Sequence, residues 1–169
     1  SDNAFYDVLE VSELPVIASH SSARHFTPGF ERNMSDEMMK ALADNGGVIF
    51  INFGSTFVSQ ASRDNYDAYK EARQAFMEEN GVTAEHESVM EFTKQYRAEK
   101  PFEFADLEVV LDHFDHVIKL VGVDYVGIGS DYDGVGDSLP IGLKDVATYP
   151  NLIEGLLVRG YSEEEIAKI

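Results

Sequence analysis

Cysteine is missing from this 169-residue chain, so disulfides and thiolate metal sites are both excluded. The lack fixes no compartment, because exported proteins can also do without cysteine. Positive charge is scarce: 13 lysines and arginines stand against 31 aspartates and glutamates, a formal net charge of −18. That balance argues against nucleic-acid binding, which needs a basic patch to neutralise phosphates, and against docking to an anionic membrane surface. No apolar run approaches the roughly 20 residues that a spanning helix needs, and no signal-peptide pattern is visible. What is present is an ordinary globular composition, 44% hydrophobic and 26% charged, in a length that suits one domain with a real core.

Both ends read as cuts. The chain opens on Ser1 rather than methionine and enters at once an apolar-periodic helix around Ala4 to Val11. It stops at Ile169, one turn after Ser162 and Glu165, whose spacing is that of a capping box at a helix start. The expectation is a fragment truncated at both ends, in which the lack of a signal peptide carries no weight.

Three short apolar runs, Pro15 to Ser19, Val48 to Phe53 and Tyr125 to Gly129, punctuate a mostly helical sequence. They are β-branched and aromatic and do not alternate, which predicts strands buried on both faces. Between them, Leu107, Val110, Leu111, Phe114, Val117, Ile118 and Val121 form the clearest helical stripe. A second helix runs from Ser35 as N-cap to Asn45, ended by Gly46 and Gly47. A third spans about Asp64 to Glu79 and closes at Asn80-Gly81. This alternation predicts an α/β fold of βαβ units on a parallel sheet. The roughly 70 residues between the second and third runs exceed one crossover, so a helical insertion is expected at about 64–101. Three parallel strands alone leave two open edges, and the fragment is expected to need a missing part, from the same polypeptide or a second chain.

Each run ends in polar groups: Ser19-His20-Ser21, then Asn52, then Ser130-Asp131. Function in α/β folds gathers at the carboxyl ends of strands, so one His, one Asn and one Asp could converge on a single mouth. The alternative is that they are strand-terminating polar residues facing solvent. Among the five histidines, His20 is the best metal-ligand candidate, since neutral imidazole at a strand end suits zinc. One histidine makes no site, so further ligands must come from elsewhere. His25 is a weaker candidate in a loop. His113 and His116, at i, i+3, could share a helix face as in some bundle metal sites. They flank an apolar stripe, however, and the structural reading is preferred, with Asp112 and Asp115 as surface partners. His86 is read as solvated. Asp131-Tyr132-Asp133-Gly134 lacks the bidentate Glu of a calcium loop, and Gly127-Ile128-Gly129 is a poor dinucleotide fingerprint. Arg32 could clamp a substrate carboxylate, or else pair with Glu31 or Asp36.

Taken together, these residues form a pattern. Pro15-Val16-Ile17-Ala18-Ser19-His20-Ser21-Ser22-Ala23-Arg24 followed by Arg32-Asn33 and Asp36, then Asp112-His113-Phe114-Asp115-His116, then Val126 to Val135, then Tyr149-Pro150-Asn151-Leu152-Ile153 resemble, in order, blocks of the membrane dipeptidase (renal dipeptidase, peptidase M19) family. The resemblance spans nearly the whole chain and begins at Ser1, which argues against Ser1 to Ala4 being a cloning scar.

The resemblance implies a (β/α)8 TIM barrel of the amidohydrolase type, with residues 1–169 as the C-terminal portion of one barrel domain carrying strands six to eight. It implies a zinc-dependent dipeptidase with two zinc ions bridged by a carboxylate and a water. His20 then matches a ligand of the second zinc, Arg32 the residue that binds substrate carboxylate, and Asp131 the acid that contacts substrate and shuttles the proton. The remaining ligands fall outside the chain, so the isolated fragment is expected to be inactive. The implied partners are a dipeptide and the N-terminal part of the barrel, with a homodimer left open and no nucleic acid. Phe57 stands where some relatives carry a pocket tyrosine, which touches substrate preference rather than chemistry. Two other readings stay open: another hydrolase on the same barrel, such as a deacetylase of N-acyl amino acids, and a non-catalytic barrel fragment.

Overall fold

The computed structural model describes residues 2–169; Ser1, where the resemblance begins, lies outside them. The three apolar runs form strands β1 (Ile17–Ser21), β2 (Val48–Asn52) and β3 (Val126–Ser130). They make one parallel sheet in the order β1-β2-β3. β1 lies two residues further along than the apolar run suggests, so His20 is inside the strand and not beyond it. The reason is the partner strand: Ile17 and Ala18 pair with Val48 and Ile49, and a register shift then sets Ser21 against Ile51.

Among the described residues eight α-helices accompany the sheet: α1 (Asp2–Val11), α2 (Asp36–Asp44), α3 (Ser55–Val58), α4 (Gln60–Asn80), α5 (Glu87–Glu99), α6 (Leu107–Val121), α7 (Tyr149–Val158) and α8 (Glu163–Ile166). Their ends obey local chemistry. Ser35 caps α2 by accepting from Met38 N, and the Ser162–Glu165 capping box opens α8. Where an insertion is expected stand two helices, α4 and α5, in a hairpin. It starts earlier than Asp64 because Ser59 caps α4 at Gln60, and it turns at Gly81, which takes the left-handed conformation (φ 61°).

The core lies where the stripe of α6 meets the sheet and α7. Val110, Leu111, Phe114 and Val117 are fully buried with Ile51, Phe53, Leu152 and Leu156, each side chain contributing about 1.5–3 kcal/mol. The Gly127-Ile128-Gly129 run belongs to this packing and not to a nucleotide loop. A Cβ on Gly127 would come within 2.7 Å of the Phe50 ring, and one on Gly129 within 2.7 Å of the Phe50 carbonyl oxygen. Bare glycine lets β3 lie against β2 there.

Candidate functional site

At the carboxyl edge of the sheet the three strand ends converge. His20, on β1, is about half exposed, and its Nε2 lies 3.9 Å from Asp131 Oδ1. Its Nδ1 is 3.1 Å from Ser19 Oγ, which leaves Nε2 turned to the cleft. Asp131 follows β3 immediately, and its other oxygen, Oδ2, accepts from Asn52 Nδ2 at 2.7 Å. Asn52, at the end of β2, is fully buried.

Asp131 is held in an unusual backbone state, with φ at 66°, alone among the described non-glycine residues. The left-handed region costs an L-residue roughly 1–2 kcal/mol, less for Asp than for most. The turn closes when Gly134 N donates to Asp131 O at 3.0 Å. A Cβ on Gly134 would fall 2.0 Å from Asp131 Oδ1, so only glycine leaves the carboxylate its place.

Arg32 reaches the same cleft from the loop between β1 and α2. That loop is pinned by a second buried amide. Asn33 Oδ1 accepts from Ser22 N at 3.1 Å, and its Nδ2 donates to Thr27 Oγ1 at 2.7 Å and to Phe57 O at 2.6 Å. Ser21 Oγ adds a bond to Arg32 O at 3.2 Å. Arg24 fastens the loop to α1 through a two-pronged pair with Asp2, both contacts at 2.7 Å. That hydrogen bonding holds the Asp2 carboxyl below its usual range. The Arg32 guanidinium makes no ion pair with Glu31, Asp36 or any other described residue. It sits 5.1 Å from the centre of the Phe57 ring, so the pocket position anticipated for Phe57 is the floor beneath Arg32.

Three clefts meet at Asp131. One of about 590 Å³ is lined by His20, Arg32 and Met34. A second, about 580 Å³, runs between Arg32, Phe57, Tyr66 of α4, Arg97 of α5 and Phe102. A third, about 570 Å³, is bounded by His20, Tyr132 and Tyr149. Helices α4 and α5 therefore wall the cleft beside Arg32, a role their acidic sequence did not announce.

The other histidines are structural. His113 is fully buried; its Nδ1 accepts from Ala23 N at 3.1 Å and its Nε2 donates to Val58 O at 2.9 Å. Burial lowers its pKa to about 4. His116 bonds Asp36 at 2.8 Å, and the exposed His25 stacks on it at 4.6 Å. His86 caps α5, accepting from Ser88 N, so it is more than a solvated residue. Asp112 and Asp115 serve Arg159 near α7 and not the histidines beside them.

Among the described residues, no cluster of three or more His, Asp or Glu side chains could hold a metal. The donors at the edge are nonetheless of the right chemistry: one imidazole with a free Nε2 and one carboxylate beside it. A neutral imidazole of this kind suits a metal ion such as zinc, but one histidine alone makes no site.

Residues 1–169 match the model of the membrane dipeptidase family (peptidase family M19). Dipeptidase 3 of Mus musculus is 34% identical over 98% of this chain, which covers 25% of that protein. A solved metallo peptidase from Rhodobacter sphaeroides, liganded with a phosphinate mimic of the dipeptide L-Ala-D-Ala, superposes with a TM-score of 0.70. It is 26% identical, over all of this chain and 37% of its own. The probable dipeptidase PvdM from Pseudomonas aeruginosa gives 0.74 at 28% identity, over all of this chain and 45% of its own. The chain thus spans about a quarter to just under half of these relatives.

Proposed function

Since this chain belongs to the membrane dipeptidase family (peptidase family M19), we propose that it is the C-terminal part of a (β/α)8 barrel whose complete form is a zinc-dependent dipeptidase. The observation that carries the reading is the meeting of His20, Asp131 and an unpaired Arg32 at the carboxyl edge of a parallel sheet. That is where barrel enzymes do their chemistry. The open flanks of the sheet support the missing remainder. Val11, Leu14 and Ile17, leading into and opening β1, are 79%, 73% and 65% exposed. Apolar surface of that extent is where further strands and helices would pack.

In this reading His20 is one ligand of a two-zinc centre, with the other ligands on the part of the protein outside this chain. Zinc bound there would polarise the scissile carbonyl and acidify a water. Arg32, free of any internal carboxylate, binds the C-terminal carboxylate of the dipeptide and sets the reach of the site to short peptides. Asp131 accepts a proton as water adds to the carbonyl carbon, then delivers it to the departing amine as the C–N bond breaks, yielding two amino acids. A phosphinate, like the ligand of the Rhodobacter relative, mimics the tetrahedral stage of such a water addition.

The test is elemental analysis and a dipeptide panel on the full-length protein. About two zinc ions per chain, with hydrolysis lost on chelation and restored by zinc, is the expected outcome. Metal-free protein that hydrolyses no dipeptide would leave only the fold. The isolated 169-residue fragment, with one histidine ligand, is expected to be inactive.

A further inference from the structure

We propose that Asn52 is a positioning residue for Asp131: it selects which carboxylate oxygen is free to act, without itself touching substrate. This rests on the reading of Asp131 as the proton-transfer group.

A side-chain amide can be set either way round, and here the backbone decides. Gly54 N donates to Asn52 Oδ1 at 2.8 Å. That contact commits the oxygen inward and turns Nδ2 to Asp131 Oδ2, 2.7 Å away. The strand end is itself anchored, since Ser22 Oγ donates to Asn52 O at 3.2 Å. One Asp131 oxygen is therefore occupied by a charge-assisted bond. The other, Oδ1, is left on the side of His20 Nε2. The left-handed Asp131 backbone and the bare Gly134 complete the fixation. Strain of this kind persists where surrounding structure over-determines it.

A merely structural Asn52 would only need its amide satisfied. Its donor is spent instead on a carboxylate that remains about one-fifth exposed. Asn52 is fully buried and lines none of the three clefts around Asp131. Its loss should therefore reach the reaction through Asp131 alone and leave substrate binding as it was.

The experiment uses the full-length enzyme with Asn52→Asp and Asn52→Ser. Both keep an acceptor for Gly54 N. The aspartate has no donor for Asp131, and the serine is too short to reach it. Expected is a kcat lower by roughly tenfold to a hundredfold, the worth of one charge-assisted bond. KM should stay within about threefold and zinc content should be unchanged, as Asn52 meets neither substrate nor a ligand. In an Asp131→Asn background the further loss should vanish, because the two residues act as one unit. A folded, zinc-loaded Asn52 variant with wild-type kcat would overturn the proposal. So would a rise in KM matching the fall in kcat, or a full, additive loss on top of Asp131→Asn. Should the aspartate variant fail to fold, the serine variant decides. A wild-type protein that cleaves no dipeptide would instead remove the functional reading beneath the proposal, so the two failures are distinguishable.

Discussion

His113 couples the stability of this fold to pH. The neutral ring bridges Ala23 N, at the head of the Arg32 loop, to Val58 O, at the end of α3, from the centre of α6. Both contacts require Nδ1 to accept and Nε2 to donate, so a second proton breaks the bond to Ala23 and puts a charge in the core. Burial accordingly lowers the pKa from 6.5 to about 4. In the unfolded chain the ring takes up its proton near pH 6.5 and in the folded protein only near 4. Between those values the unfolded state binds more protons, and stability falls as pH falls. The full depression corresponds to about 3 kcal/mol, and the drop from pH 7.5 to 4.5 captures about 2–3 kcal/mol of it. His113→Gln removes the titration while keeping an acceptor and a donor at similar reach. Urea unfolding of full-length wild type and variant at the two pH values measures the difference. The expected result is a variant modestly destabilised at pH 7.5 and shallower in pH dependence by about 2 kcal/mol. Parallel pH dependences would refute the assignment of a buried neutral His113.

Asp131→Asn in the full-length protein should lower turnover by roughly a hundredfold or more while leaving zinc content near wild type; an unchanged rate would remove Asp131 from the chemistry. Arg32→Lys loses the two-pronged fit to a carboxylate, so KM for dipeptides should rise at least roughly tenfold. Amidating the substrate's C-terminus should cost wild type a similar factor and the variant little more, and equal further losses in both would place the carboxylate elsewhere. Gly134→Ala puts a methyl against Asp131 Oδ1 and should cut kcat with little change in melting temperature, whereas wild-type kcat would show the turn to be pliable. Gly155→Ala tests packing alone: its Cβ would meet Leu111 Cδ1 at 2.4 Å, so about 1–3 kcal/mol of stability should be lost, read by urea denaturation.

Much of this protein is legible in one dimension because the physics is local. Three non-alternating apolar runs announced a parallel sheet, the i, i+3, i+4 stripe of α6 announced the helix that covers it, and Ser35 and Ser162 marked helix starts through their own backbone bonds. The pairing of His20 with Asp131 was also within reach, since parallel strands end on the same side and each run ended in a polar residue. What the chain order could not show is anything decided by contacts distant in sequence. The register of β1 follows from its partner β2. The orientation of Asn52 depends on Gly54 and on Asp131, 79 residues away. The course of the loop that carries Arg32 rests on Asn33, whose amide is satisfied by Thr27 and Phe57. Asp131 stood out as a strand-end acid, but its positive φ and the space that Gly134 leaves for its carboxylate show only in the folded chain. The stretch between β2 and β3 read only as an acidic helical insertion, yet folding brings Tyr66 of α4, Arg97 of α5 and Phe102 to the wall of the Arg32 cleft. Hydrophobic period and capping are properties of neighbours along the chain, and the sequence by itself determined those. The aim of a carboxylate and the partner of a buried amide belong to neighbours in space, and only the tertiary structure decided them.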